Sequence, residues 1–363
     1  MLAHATVCTT IIWALLTQTA WSRDLWCDNR RDLPVTVGAR LGEIARKSVG
    51  AAPNAAREIR TEGLLPGQGL YDVSMKSKED FRKALGLAYG WRTQHKQVYR
   101  DSARRFVVAW ARTYRPDFNP IDETDFTQLF ETYAAIKDDL SESDRQLVDR
   151  WLRKFHDGHV AELRRREAAH EVQTSNWQSH RIKIATGAAI AIGDMALVSA
   201  VEPFYQAQLR ANIHDDGSIE DFHTRDSLGY AVYSLRPLVE TALITRAAGA
   251  QWLPPGSTGY RRLIGALDWM LPFVTGTKTH IEYVHSTVHF DRVRERAGVK
   301  GYGHSAWKPA NARDLFWLAA YLDPKYISVA SSLHPKPASF LVACRGTVPT
   351  SEASGARPRP SHR

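Results

Sequence analysis

The sequence predicts an all-α protein. Three observations carry this. Helical periodicity recurs along most of the chain, no convincing run of alternating strand residues appears, and the connections between periodic stretches are short. A fainter sign is a shared Trp, Tyr and Pro ending in two helices, Trp110 to Pro116 and Trp317 to Pro324, as expected of repeated helical hairpins.

In chain order, residues 35–49 form a first helix with Leu41, Ile44 and Ala45 on one side. Residues 61–74 are rich in Gly and Pro, carry Tyr71, and read as a loop with a task. Helices follow at 77–91 and 97–114, the second stopped by Pro116 and Pro120. Next come 126–140 and a long helix from 142 to about 172, with Ser141 as its cap. The most apolar helix spans 176–192 and ends at Gly193, and another spans 195–212. Residues 215–224 read as a turn-rich loop leading into a helix at 227–247. Helix 260–273, a short polar helix or loop at 278–291, a Gly-rich stretch at 298–305 with Tyr302, and a last helix at 311–321 complete the body.

The chain has 363 residues, 44% hydrophobic and 24% charged, the profile of a soluble globular protein large enough for a substantial core. Residues 1–22 contain no Lys, Arg, Asp or Glu, and an apolar stretch leads to Ala20-Trp-Ser22. This is read as a signal peptide cleaved before Arg23, too short for a comfortable membrane span. The expected layout is a leader at 1–22, one domain at 23–345, and a disordered Pro/Ser/Arg-rich tail at 346–363. The expected location is secreted or periplasmic, with no membrane span once the leader is gone. Cleavage removes Cys8 and leaves Cys27 and Cys344, either a disulfide or two buried thiols.

A net charge of +9 attracts a polyanion. Basic residues are scattered, without the dense tract of a nucleic-acid arm, so export points to an acidic polysaccharide and not to nucleic acid. Oligomeric state is not legible. Eleven Trp and thirteen Tyr suit sugar stacking as well as helix packing.

Two segments carry the chemistry. In the first, Ser175 is placed to cap a helix with Gln178 completing a capping box, and Asn176 and His180 lie four apart on one face. The positive helix end favours a carboxylate ligand and a neutral imidazole. In the second, Asp226, Tyr230 and Tyr233 lie four and three apart, and Arg225 starts a neighbouring row. Each segment alone also fits ordinary packing.

Together the segments resemble the alginate lyase family, in particular polysaccharide lyase family five and more distant alginate-lyase-like proteins. Asn176 matches the second Asn of an Asn-Asn-His motif, Trp177 stands where the His would be, and His180 sits a turn later. Leu228, Tyr230, Tyr233, Leu235, Pro237 and Leu238 match a second motif in order, while Gly229 and Ala231 replace two His. Asp226 falls at the family's Arg, with Arg225 one residue earlier. Thr61 to Pro66, Asn119 to Ile121 and Asn176 to Arg181 match the more distant members.

The resemblance implies an α/α toroid, an incomplete α/α barrel of helical hairpins, and a polysaccharide lyase that breaks a uronate chain such as alginate by β-elimination. It implies catalytic roles for Tyr233 as acid/base, and for His180, Asn176 and Arg225 around the uronate carboxylate. Trp177, Arg181, His223, Tyr230 and Tyr71 would bind substrate. No cofactor or metal is expected, and no zinc spacing, nucleophile elbow or phosphate loop is present. The alternatives are a catalytically silent acidic-glycan-binding protein on the same scaffold, or a glycoside hydrolase. For the latter, Glu131, Asp138, Asp215 and Asp216 show no distinctive pair spacing.

Overall fold

The computed structural model describes residues 25–28, 33–169 and 174–348. The expected leader and nearly all of the expected tail lie outside these residues. The helices are α1 Val35–Ser48, α2 Gly69–Gln94, α3 Gln97–Thr113, α4 Pro120–Glu123, α5 Thr127–Ile136, α6 Glu142–Ala168, α7 Asn176–Ile192 and α8 Met195–Asn212. They continue as α9 Glu220–Arg225, α10 Leu228–Ala248, α11 Thr258–Val274, α12 His289–Arg296, α13 Arg313–Leu322, α14 Ile327–Leu333 and α15 Ser339–Arg345. Among the described residues no strand forms, and only two isolated bridges occur, Ile213 with Ile219 and Ile281 with Ala306.

The all-α expectation is met, and the arrangement is a helical toroid. Helices α2, α5, α7, α10 and α13 pack in succession as an inner row, with α3, α6 and α8 against their outer sides. Helix α15 packs on α1 and α2, bringing the two ends of the row together. A disulfide between Cys27 and Cys344, 317 residues apart, ties that closure, and both cysteines are buried.

The inner position of α7 follows from its sequence. Nearly every residue from Ser179 to Ala191 is buried, because a helix apolar on all sides must be surrounded. Gly187 lets Trp26 approach: a Cβ there would sit 2.9 Å from the Trp26 ring. Gly193 ends the helix in the left-handed conformation, φ 94°, as the sequence indicates.

Several boundaries differ from expectation. The 61–74 stretch is a loop only in its first half. Gln68 accepts a hydrogen bond from the Leu65 N–H (2.8 Å) and Asp72 one from the Gly67 N–H (3.1 Å), so α2 already starts at Gly69 and contains Tyr71. The preceding residues are pinned by Asp122, whose Oδ1 accepts from the Thr61 N–H and hydroxyl (both 2.7 Å) and the Glu62 N–H (2.8 Å). The expected helix at 126–140 is broken into α5 with a 3-10 turn at each end, Thr124–Phe126 and Lys137–Asp139. The second half of the 215–224 loop is helical, as α9, where Phe222 packs edge-on against Trp269 at 4.9 Å. The helix expected last is followed by α14 and α15, whose seven residues each are too few to display a period.

Because the disulfide spans most of the chain, its removal should loosen the ring closure. Replacing both cysteines by serine is expected to lower stability by about 2–4 kcal/mol. A thermal melt should show a fall of roughly 5 °C or more, with the same effect when the native protein is reduced.

Candidate functional site

The site is built where the inner helices α7 and α10 face each other. Helix α7 does not begin as expected. Ser175 makes no side-chain cap; the work is done from 45 residues away by Asp221 of α9. Its carboxylate accepts the Asn176 N–H at 2.7 Å and the Asn176 side-chain amide at 2.5 Å. Asn212 of α8 also donates to it (3.4 Å) and in turn accepts from Ser234 of α10 (3.0 Å). Asp221 is buried, and that burial raises its pKa against the pull of the Asn176 bonds. One carboxylate thus joins four helices.

Helix α10 is capped in a similar way. Ser227 accepts from the Tyr230 N–H (3.2 Å) as an ordinary cap. Glu282 then accepts from the Ser227 hydroxyl (2.5 Å), the Leu228 N–H (2.8 Å) and the Gly229 N–H (3.2 Å). Gly229 leaves room for this, since a Cβ there would lie 3.2 Å from the Glu282 carboxylate. Both helix starts are therefore occupied by protein carboxylates.

One turn into α7, His180 is buried, with Nδ1 hydrogen-bonded to the Thr124 hydroxyl at 2.6 Å. Its Nε2 is buried without a hydrogen-bond partner. Burial, followed by the charge of Lys183, pushes the imidazole pKa down to about 3. The ring lies 4.3 Å from that of Tyr233 on α10. Burial raises the Tyr233 phenol, and Asp125 adds to the rise. His180 and Tyr233 both line a cavity of about 440 Å³ between the inner helices.

From Tyr233 an aromatic row runs outward. Tyr230 is 6.0 Å away edge-on, and its hydroxyl meets that of Tyr302 (3.2 Å) and the Arg294 guanidinium (3.2 Å). Arg225 lies 3.9 Å above the Tyr230 ring and donates to Asp291 at 2.5 Å. Arg225, Tyr230, Tyr233 and His180 are thus brought into one continuous group. Asn176 is one turn from His180, but its amide faces Asp221 and it does not line the cavity.

The other sequence candidates lie around this group. Arg181 is buried on the side of α7 that faces Arg166 and Glu162 of α6, donates to Gln178 (3.0 Å), and has its pKa lowered to about 10 by burial. Trp177 is half-buried at the start of α7, and Tyr71 half-buried at the start of α2. His223 is hydrogen-bonded to Ser218 (2.7 Å) and packs on His214, away from the cavity lining. The sequence reasoning missed Thr124, Asp125, Lys183, Arg236 and Glu240 of the cavity wall. For Lys183 and Arg236 a signal existed: each lies three residues beyond His180 or Tyr233 on the same helix.

Among the described residues, the one cluster with metal-ligand spacing is Cys27, Glu131 and Cys344. The disulfide occupies both thiols, so that cluster does not offer a thiolate site.

The folded His180 stays neutral down to about pH 3, whereas an unfolded histidine protonates near 6.5. Over that window the unfolded state binds the extra proton. The buried imidazole therefore favours folding above the upper value and costs stability as pH falls toward the lower one. Denaturant titrations of wild type and His180→Gln between pH 7 and 4 should show a shallower acid loss in the variant. Equal slopes would mean that His180 is not the group responsible.

A sequence profile described as alginate lyase matches residues 38–280. A search of curated proteins finds no match. Among solved structures, an alginate lyase from Bacteroides ovatus superposes with TM-score 0.62 at 14% identity, covering 85% of this chain and 92% of that one. The apo form of a histidine-to-alanine variant of alginate lyase A1-III superposes with TM-score 0.52 at 16% identity, covering 83% and 88%. Alginate lyase A1-III comes from Sphingomonas species A1. At these identities the likeness establishes the shared helical toroid.

Proposed function

Because this chain belongs to the alginate lyase family and is a polysaccharide lyase, we propose that it cleaves an acidic, uronate-containing polysaccharide such as alginate by β-elimination, with Tyr233 and His180 as the acid/base pair. The observation that carries the residue assignment is a neutral imidazole with a buried, unpartnered Nε2 beside a phenol, both on one cavity.

The reaction breaks the C–H bond next to the uronate carboxylate and the C–O bond to the neighbouring sugar, and forms a C=C bond between the two carbons. Abstraction piles charge onto a group that is already an anion, so the site needs a base in reach and cations around the carboxylate. His180 suits the acceptor role: with the hydrogen on Nδ1, held by Thr124, Nε2 keeps a lone pair that no described residue engages, on a residue that lines the cavity. Tyr233, kept protonated by burial, suits delivery of a proton to the departing oxygen, and the proton taken up by His180 can then return to the phenolate. The row from Tyr230 to Tyr302, its ring faces backed by Arg225, Arg294 and Tyr283, extends an aromatic surface beyond the reacting pair. Asn176 and Arg225 act in this reading through position, by anchoring α7 to Asp221 and by covering Tyr230 opposite Asp291.

Export is part of the proposal. Its supports are the apolar leader and the Cys27–Cys344 disulfide, a bond that persists in oxidising compartments. No helix among the described residues is long and apolar enough to cross a membrane.

A second reading, a silent acidic-glycan-binding protein, is favoured by the commitment of Asn176 and Arg225 to protein carboxylates. One assay separates the two. Wild-type protein incubated with uronate polymers should generate the ultraviolet absorbance of an unsaturated uronate end. Tyr233→Phe should lose on the order of 10²–10⁴ in turnover while still binding the polymer. Full activity in that variant would remove Tyr233 from the chemistry, binding without any product would favour the silent protein, and new reducing ends without absorbance would mean hydrolysis.

A further inference from the structure

Asn176 and Arg225, which sequence reasoning placed around the carboxylate, are engaged elsewhere, and His180 serves as the base, which leaves the substrate anion without an assigned partner. Asn176 is paired with Asp221 and Arg225 with Asp291, each by short hydrogen bonds. The cavity wall holds a different arrangement. Lys183 stands one turn beyond His180 on α7, and Arg236 one turn beyond Tyr233 on α10, a rise of about 5 Å in each case. The two cations share one carboxylate: Glu240 meets Lys183 at 3.3 Å and Arg236 at 2.8 Å.

That sharing leaves a positive surplus beside the acid/base pair. The other carboxylate at this end of the cavity, Asp125, has its own partner in Lys78 at 2.9 Å, and Asp314 is more distant from Arg236 at 3.9 Å. Lys183 is almost fully buried, so its charge is poorly screened, while the Arg236 side chain is half exposed. Burial opposes the charge on Glu240, yet Lys183 and Arg236 hold its pKa down to about 2, so it remains an anion at any working pH.

Deepening the reading of this site as a uronate lyase, and resting on it for the identity of the sugar, we propose that Lys183 and Arg236 receive the substrate carboxylate. The incoming anion becomes the second one shared by the pair, and Glu240 holds both cations in place until it arrives. The arrangement suits the chemistry. A guanidinium can grip a carboxylate through two parallel hydrogen bonds, and an ammonium adds a compact charge. Both sit on the same rigid helices as the acid and the base, so the carboxylate and the neighbouring C–H are positioned together.

The test measures binding by calorimetry in the Tyr233→Phe protein, where substrate survives, using a uronate tetrasaccharide and its methyl ester. The acid form is expected to bind at least tenfold more tightly than the ester. Adding Lys183→Met or Arg236→Gln should erase most of that preference while leaving ester affinity within twofold. Adding Glu240→Gln should tighten binding of the acid. Arg236→Gln is the safeguard on folding, because the side chain is half exposed, and a melt on each variant identifies any that unfold. The proposal is overturned if Arg236→Gln and a folded Lys183→Met keep the full preference for the acid, or if acid and ester weaken equally. Its failure is separable from that of the lyase reading, which is judged by ultraviolet product from wild-type protein. Product with an intact preference in the variants sinks the cation pair alone. A preference that depends on the pair, without product, sinks the lyase reading alone.

Discussion

The buried carboxylate of Asp221 is the constraint on which the active face depends. It satisfies the backbone and side-chain donors of Asn176 at the head of α7 and draws in Asn212 of α8, which is itself bonded to Ser234 of α10. A buried polar group left without a partner costs about 1–3 kcal/mol, so these donors and acceptors fix one another. The rotation and height of α7 relative to α10 follow from it, and with them the 4.3 Å approach of His180 to Tyr233. Glu282 does for α10 what Asp221 does for α7. The two helices that carry His180 and Tyr233 are each aimed by a carboxylate reaching in from another part of the chain.

This division of labour explains why helix starts that look ready for an anion are not where the substrate anion is expected to bind. Their exposed N–H groups and partial positive charge are already answered by protein carboxylates. Positive charge reaches the cavity instead from side chains about two turns further along the same helices, Lys183 and Arg236. Arg225, meanwhile, spends its charge on Asp291 and lends its flat face to Tyr230.

Much of this was legible in the sequence. The all-α class and the span of α7 with its Gly193 stop follow from period, whereas bringing the segments of His180 and Tyr233 into one cleft followed from the resemblance. Resemblance supplied the toroid, which periodicity alone does not reach. What could not be read is which carboxylate folds back onto which helix start. Asp221 acts across 45 residues and Glu282 across 54, and nothing local marks either as a cap. The same blindness made Ser175 look like the cap of α7, because local spacing shows only the candidate next door. Lys183 and Arg236 were within reach of a spacing argument, but a buried lysine in an apolar helix is easily taken for surface charge. The protonation of Tyr233 was out of reach for a related reason: its pKa is set by depth of burial, and depth is a property of the assembled ring.

The bond between Cys27 and Cys344 has a further consequence for how the molecule comes into being. One of its partners precedes α1 and the other lies in α15, so the ring cannot be fastened until the segment carrying Cys344 has been made. Until α15 docks on α1 and α2, the cavity wall that contains Trp26, Phe340 and Leu341 is incomplete, and apolar surface stands open to solvent. Such a half-built ring is the species most exposed to wrong association. The final oxidation therefore acts as a latch on biogenesis, converting a late docking event into a covalent commitment.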